Sequence, residues 1–343
     1  VPGQNLFISG LGVFVPEIET VESAVARGLC TDEEAAAHGM SGAAVAGDVS
    51  APDMALSAAK DALRGHDPGD IGLLLYTDIW HQGPDGWYPQ YYLQHYLLGG
   101  DALALEIRQG CNGIFYGMEL AAGYLRGFPE RGDALLVAAD NFGTPMIDRW
   151  RSAPFLFGDA ASALVLSTRS GFAQVLAMAT ASVPELEQEH RAGEPLYPPG
   201  ATTGAFLDLR ARERRFNEQV TEDSTLRKAW LVSHMRMLQM VNRLMAEAGI
   251  GYEDIDRAIF TNLAPKSIEH RWMDVLRLPM EKSTWEYGRT IGHTGASDPV
   301  LSLHHLLSTG RLGPGDHVVM GSVGSGGSIS CAIVRILAVP QHC

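Results

Sequence analysis

The chain has 343 residues, 46% hydrophobic and 19% charged, which allows a sizeable core and excludes general disorder. With 26 basic and 40 acidic residues its formal charge is −14, leaving no basic stripe to neutralise the phosphates of a nucleic acid. No apolar stretch reaches membrane-spanning length and residues 1–3 lead straight into Leu6 without a signal peptide, so a cytoplasmic protein is expected, with no membrane partner.

In chain order, residues 6–15 read as a strand ended by Pro16. Thr31-Asp-Glu-Glu34 has capping-box spacing and opens a short helix. Residues 54–63 repeat apolar side chains at helical spacing until Gly65 and Pro68 intervene. Residues 71–76, 102–107, 134–139 and 161–166 are apolar runs of strand length, and a small-residue helix over about 112–125 separates the second from the third. Strands alternating with helices predict an α/β fold with a largely parallel sheet.

An internal repeat sharpens this. Ile71-Gly-Leu-Leu-Leu-Tyr-Thr-Asp78 matches Ile255-Asp-Arg-Ala-Ile-Phe-Thr-Asn262, 184 positions on. Gly132-Asp133 before Ala-Leu-Leu-Val matches Gly315-Asp316 before His-Val-Val-Met, 183 positions on, and Gly158-Asp-Ala-Ala-Ser matches the stretch from Gly326. Each match is weak; their shared order predicts two copies of one α/β unit. We divide the chain into an N-terminal half, 1–170, and a C-terminal half, 171–343, with a polar insertion at about 184–223 carrying Pro198-Pro199-Gly200.

Cys111 shifted by the repeat lands on His293, 182 positions later. Both follow a strand-and-turn region and precede a helix, so a pseudo-twofold axis brings thiol and imidazole together. At a helix start a thiolate is stabilised and becomes nucleophilic near neutral pH, and a nearby imidazole serves as its base. Asp298, five positions after His293, is placed to orient that ring. Bland readings stand beside these. Cys111 fits as apolar filler, His293 as a satisfied core histidine, and Ser297-Asp298-Pro299 as a helix cap. The glycines 321–327 lack Gly-Lys-Ser/Thr and a following helix, which argues against nucleotide binding; Gly326 could offer an N–H to an oxyanion or simply turn the chain. The four cysteines have no C-x-x-C spacing and the histidines no H-E-x-x-H, and adjacent His304 and His305 are a poor chelate, so neither a disulfide framework nor a metal site is expected.

These residues resemble the thiolase superfamily, in particular ketoacyl-ACP synthase III. The resemblance runs from residue 6 to 337 and is carried by Gln109-Gly-Cys111-Asn-Gly, Phe157-Gly-Asp-Ala-Ala-Ser-Ala163, Gly292-His-Thr294 and Gly324-Ser-Gly-Gly327. It implies a duplicated five-layered αβαβα fold, a homodimer, and ping-pong chemistry through an acyl-Cys111 thioester. The donor it implies is a coenzyme A or phosphopantetheine carrier-protein thioester, with no permanently bound cofactor. Where the synthases carry Pro-His-Gln-Ala-Asn this chain has Thr261-Asn262-Leu-Ala-Pro265, and where they carry Gly-Asn-Thr it has Gly292-His293-Thr294. Histidine and asparagine have changed places, and the usual pair serves decarboxylation of malonyl. The pattern is closer to the Cys-His-Asp acyltransferases of actinomycete natural-product pathways.

The expected activity is therefore transfer of malonyl or another short acyl group from Cys111 to a hydroxyl or amine of a small-molecule acceptor such as a glycosylated polyketide. Cys111 is the nucleophile, His293 the base and Asp298 its support; the N–H groups of Cys111 and Gly326 hold the oxyanion, and Asn262 bonds the acyl chain or the acceptor. A decarboxylating starter-unit synthase is the alternative, and a non-catalytic homologue is disfavoured by the retained cysteine. Arg151 matches a synthase arginine near the coenzyme A nucleotide. Arg210, Arg212, Arg214 and Arg215 form the densest basic run, read as a phosphate or carrier-protein contact or as a solvated helix face. Aromatics between Trp80 and Tyr96 suit a dimer interface or a ring-shaped acceptor.

Overall fold

The computed structural model describes residues 5–198 and 204–340; residues 1–3, Pro199, Gly200 and Cys343 lie outside them. The strands are β1 (Phe7–Phe14), β2 (Ile18–Thr20), β3 (Gly42–Ala44), β4 (Ile71–Thr77), β5 (Leu103–Ile107) and β6 (Asp133–Asp140). They continue with β7 (Ala160–Ser167), β8 (Ala173–Ser182), β9 (Ile255–Phe260), β10 (His317–Gly324) and β11 (Ser328–Ile336). Five helices frame the site: α1 (Ala51–Ala62), α2 (Gly113–Gly127), α3 (Leu209–Glu222), α4 (Ser224–Ala248) and α5 (Asp298–Ser308).

Nine strands form one sheet in the order β5-β4-β6-β7-β1-β8-β11-β10-β9, and β2 pairs with β3 apart from it. Outward from the centre the two sides run β1-β7-β6-β4-β5 and β8-β11-β10-β9. The repeat matches fall at equivalent places: Ile71 and Ile255 open β4 and β9, and Gly132 and Gly315 precede β6 and β10. The second side has a single parallel bridge, Ala258 to Ser283, beyond its last full strand.

Side-chain alternation along the strands assigns the layers. Leu73, Leu75 and Leu136 from one side and Val318, Met320 and Val334 from the other face inward onto Ile114, Phe115 and Met118 of α2 and Val300, Leu303 and Leu306 of α5. Their neighbours Leu74, Leu135 and Val137 face outward onto Met54, Ala55 and Ala58 of α1. On the far side Ala258, Val319 and Ile333 meet Met237, Val241 and Leu244 of α4. The two sides of the one sheet thus enclose the central helices, with helices outside each: helix, sheet side, helices, sheet side, helix, which is the five-layered arrangement expected. Each large side chain buried this way contributes about 1.5–3 kcal/mol, so α2 and α5 are fixed from both sides.

One expectation needs correction. The sheet is mixed, with parallel pairing confined to β4/β5, β4/β6 and β9/β10. β6/β7, β7/β1, β1/β8, β8/β11 and β10/β11 are antiparallel. The reason at β10/β11 is the connection: Ser325–Gly327 is too short for a crossover and closes a hairpin. The capping box at Thr31 and Glu34 is present with both of its hydrogen bonds.

Candidate active site

α2 lies unusually close to the sheet, because glycines face it. A Cβ on Gly113 would stand 1.9 Å from the Thr77 hydroxyl, and one on Gly117 would stand 2.4 Å from Leu136. The tight 3-10 turn Gly110–Asn112 precedes the helix, with Gly110 at φ 56°. This holds Cys111 at the helix start, its side chain part-buried. Two contacts from the other half of the chain pin the turn. Ser322 donates its hydroxyl to the Cys111 carbonyl at 3.2 Å, and the Asn112 amide donates to Ser328 Oγ at 2.8 Å.

His293 arrives from the opposite side, clasped by backbone. Its N–H donates to the Leu156 carbonyl at 2.7 Å, and its own carbonyl accepts from Gly158 at 2.9 Å. Gly158 has no room for a side chain there, since a Cβ would stand 2.0 Å from the Ile291 carbonyl. Asp159 beside it forms a buried ion pair with Arg149 at 2.8 Å and accepts from Phe142 and Ala46. The Gly158-Asp159 motif is thus structural: it fixes the loop that holds His293.

The structure brings together the three residues expected to act together. Cys111 Sγ stands 3.0 Å from His293 Nε2, and His293 Nδ1 stands 2.5 Å from an Asp298 oxygen. The Asp298 contact assigns the shared proton to Nδ1 and leaves Nε2 toward the sulfur. Burial pushes the His293 imidazole down, but negative charge at Cys111 and Asp298 outweighs it and holds the ring well above its ordinary value. Asp298 is fully buried and also accepts from Asn262 N, Asn262 Nδ2, Thr294 N and Thr294 Oγ1 at 2.7–3.0 Å. Four donors besides the imidazole fix a carboxylate in one orientation. The capping alternative does not hold. Ser297 makes no cap hydrogen bond and donates instead to the Ala138 carbonyl at 3.1 Å.

Other expected residues lie elsewhere. Asn262 was assigned to the acyl chain or the acceptor, but its Nδ2 donates to the Gly292 carbonyl and to Asp298, and it does not line the cavity. Its amide points at the carboxylate because Asp298 offers a stronger, charged acceptor. Gly326 occupies the β10–β11 turn at φ 76°, where its neighbours Ser325 and Gly327 line the cavity. Arg151 pairs with Glu34 at 3.3 Å and Asp148 at 3.8 Å and is exposed. Arg210 donates to the Ala153 carbonyl, Arg212 and Arg215 share Glu194, and Arg214 is exposed. Three of the four arginines are therefore engaged inside the chain. Tyr88, Tyr91 and Tyr96 are exposed, and no residue between Trp80 and Tyr96 lines the cavity.

The cavity beside Cys111 and His293 measures about 250 Å³. Its apolar walls are Phe155, Leu186, Phe216, Trp230, Met237 and Ile329. Leu186, Glu189, His190, Arg212, Glu213 and Phe216 all come from the insertion at 184–223. The segment that breaks the repeat is therefore what encloses the site. Sequence reading did not identify these walls, nor Thr294 as an Asp298 anchor. The signal available was apolar spacing in α4, where Trp230, Ser233 and Met237 recur on one helical face.

Comparisons with known proteins identify the family. The model of 3-oxoacyl-[acyl-carrier-protein] synthase III matches residues 105–183, and that of its C-terminal part matches 245–336. The beta-ketoacyl-[acyl-carrier-protein] synthase III of Rhizorhabdus wittichii is 27% identical over 342 residues, covering 96% of this chain and 98% of the relative. The solved structure of 3-oxoacyl-[acyl-carrier-protein] synthase III from Aquifex aeolicus shares the fold at 20% identity with a TM-score of 0.75, covering 96% of this chain and 99% of that one. ChlB3, described as an acyltransferase, is 50% identical with a TM-score of 0.92, covering 97% of this chain and 98% of its own. Matched over nearly its whole length by such relatives, the chain belongs to the 3-oxoacyl-[acyl-carrier-protein] synthase III family of the thiolase superfamily, and is an enzyme of transferase type.

Proposed function

We propose that the protein is a non-decarboxylating acyltransferase working through an acyl-Cys111 intermediate. One observation carries this reading: His293 bridges Cys111 and Asp298 at 3.0 and 2.5 Å while the Asn262 amide is turned away from the cavity. Decarboxylation of malonyl develops negative charge on an enolate oxygen, which needs two donors facing the thioester. Here both Asn262 Nδ2 contacts are internal, so His293 alone faces the cavity from that pair. An imidazole oriented by a carboxylate is suited instead to removing a proton from an attacking hydroxyl or amine. The 50% identity to ChlB3, described as an acyltransferase, supports the same reading.

Cys111 attacks the thioester carbonyl of a coenzyme A or carrier-protein donor, and the pantetheine thiol leaves with a proton from His293. The acceptor hydroxyl then attacks the acyl enzyme as His293 takes its proton; the C–S bond breaks and Cys111 is regenerated. The N–H groups of Cys111 and Gly326 are the proposed oxyanion donors. The cavity favours an apolar acyl body over malonyl, because its cations are already matched. Arg212 pairs with Glu194, and Arg271 lies in the field of Glu189 and Glu213. A free malonyl carboxylate would lose hydration there without gaining a partner. A homodimer fits the exposed Leu103 and Leu105 of edge strand β5 and the nearby tyrosines. The halves 1–170 and 171–343 remain our division of the chain.

Intact-protein mass spectrometry with malonyl and hexanoyl thioesters tests the reading. Wild type gains the full acyl mass, hexanoyl in preference to malonyl, and Cys111→Ala gains none. A malonyl adduct that loses carbon dioxide, or carbon–carbon bond formation with malonyl, would establish the condensing alternative.

A further inference from the structure

A second cluster of reactive side chains lies at the carboxyl ends of β4 and β5, outside the cavity. Asp78 follows the last residue of β4, Glu106 is in β5, and the two strands pair in parallel with Tyr76 opposite Glu106. His81 comes three positions after Asp78, in a turn that Asp140 fixes by accepting from the N–H groups of Ile79 and Trp80 at 2.8 and 2.9 Å. One donor atom from each of Asp78, His81 and Glu106 lies within 4.8 Å of the others, and His81 Nδ1 is 3.4 Å from Glu106 Oε1.

The independent observation concerns Asp78. Its side chain is 1% exposed, and no donor of the protein reaches either buried carboxylate oxygen; the group facing it is the Glu106 carboxylate, another acceptor. A carboxylate is not left bare in a protein interior without a cation or a proton. Arg108, whose charge acts on Asp78, is directed at the Ile79 carbonyl at 3.5 Å. His81 and Glu106 keep 27% and 18% of their side chains exposed, so the cluster has an opening to solvent.

We propose that Asp78, His81 and Glu106 bind one divalent first-row metal ion, Mn²⁺ or Zn²⁺, at a site separate from Cys111. One imidazole and two carboxylates are a hard-to-borderline donor set that suits such ions. Ligands about 2.1 Å from one ion stand roughly 3–3.6 Å from each other, so closing around an ion requires rotamer adjustments of about an ångström. The ion would tie the end of β4 to the end of β5. β5 leads directly into the turn that carries Cys111, and Thr77, just before Asp78, abuts Gly113 of α2. The site is therefore structural, setting where the nucleophile's turn begins; it takes no part in acyl transfer.

Chelator-treated protein carrying Cys111→Ala, which removes the Cys111 thiol as a metal ligand, is titrated with Mn²⁺ and the free ion followed by electron paramagnetic resonance. Zn²⁺ is titrated in parallel by calorimetry. The expected result is one ion per chain, a metal-dependent rise in the thermal midpoint, and at least tenfold weaker binding in Asp78→Asn and in Glu106→Gln. His81→Ala, at a part-exposed position, serves as a variant whose folding is not at issue and should weaken binding likewise. Equal binding by parent and variants, or none by the parent, overturns the proposal and assigns Asp78 and Glu106 to a shared proton. Because the parent lacks the nucleophile, neither outcome depends on the acyl-transfer reading.

Discussion

Replacing Asp298 by Asn separates orientation of the base from its presence. The carboxylate accepts five hydrogen bonds, from His293 Nδ1 at 2.5 Å, Asn262 N at 2.8 Å, Asn262 Nδ2 at 3.0 Å, and Thr294 N and Oγ1 at 2.7 Å. A carboxamide can accept at only one of its two ends. If its NH₂ stands toward His293, the ring must accept at Nδ1, Nε2 then carries the proton toward Cys111, and the base is lost. If its NH₂ stands the other way, Thr294 N and Asn262 Nδ2 face a donor. Each hydrogen bond to a charged group is worth about 1.5–3 kcal/mol, so with partial relaxation the loss of stability is about 2–4 kcal/mol. Loss of one general base slows the step it serves by about 100- to 10,000-fold. The assay is single-turnover transfer from pre-acylated enzyme to the acceptor, followed by intact mass, after urea unfolding confirms a folded variant. Transfer within threefold of wild type by folded Asp298→Asn would refute the assigned role of this carboxylate.

Two further outcomes follow from the geometry. Gly113→Ala places a methyl 1.9 Å from the Thr77 hydroxyl, so α2 must shift and carry Cys111 with it. Destabilisation of about 1–3 kcal/mol is expected with at least tenfold slower acylation, partly restored by Thr77→Ala in a double-mutant cycle; additive effects would show that the contact is not the cause. His38 is held down to about 4 by burial first and the Arg210 charge second, and its Nδ1 accepts from Met40 N. Its folded pKa lies below the unfolded value, so the neutral ring's stability is present above pH 6.5 and is lost as pH falls toward 4. That loss is about 2 kcal/mol after allowing for screening by solvent. Urea unfolding at pH 7 and pH 4.5 should show a loss smaller by that amount in His38→Asn, which keeps an acceptor; equal losses would exclude His38 as the source.

Much of the fold was legible because burial leaves continuous apolar runs, and β4, β6 and β7 fall where those runs stand; β5 carries such a run too, although its Leu103 and Leu105 are exposed at the sheet edge. β8 was not, since Ala173–Ser182 is built of small residues with weak alternation. Neither was α4, whose exposed Leu231, Val232, Met235 and Leu238 blur its helical period. The pairing of Cys111 with His293 came from the repeat, which converts an offset of 182 into proximity. Side-chain direction had no such signal. Asn262 was read as facing substrate because it occupies a catalytic position of the family pattern, and the arginine run was read as a phosphate or carrier-protein contact or a solvated face because Glu194, its partner, lies 18 and 21 positions away. The juxtaposition of Asp78, His81 and Glu106 had no signal for the same reason: Asp78 and His81 gain Glu106 only when β4 and β5 pair.

The clasp between Phe157 and His293 makes the enzyme a coincidence device. Thiol and imidazole belong to opposite halves, and the backbone bridge that seats the imidazole is itself made across them. On the proposed mechanism neither stretch alone holds a working pair, and partial structure would have no partial activity. Contacts so distant in sequence form late, so on refolding the helical signal should return before acyl loading of Cys111 does. On heating the order reverses, and chemistry is the first property lost.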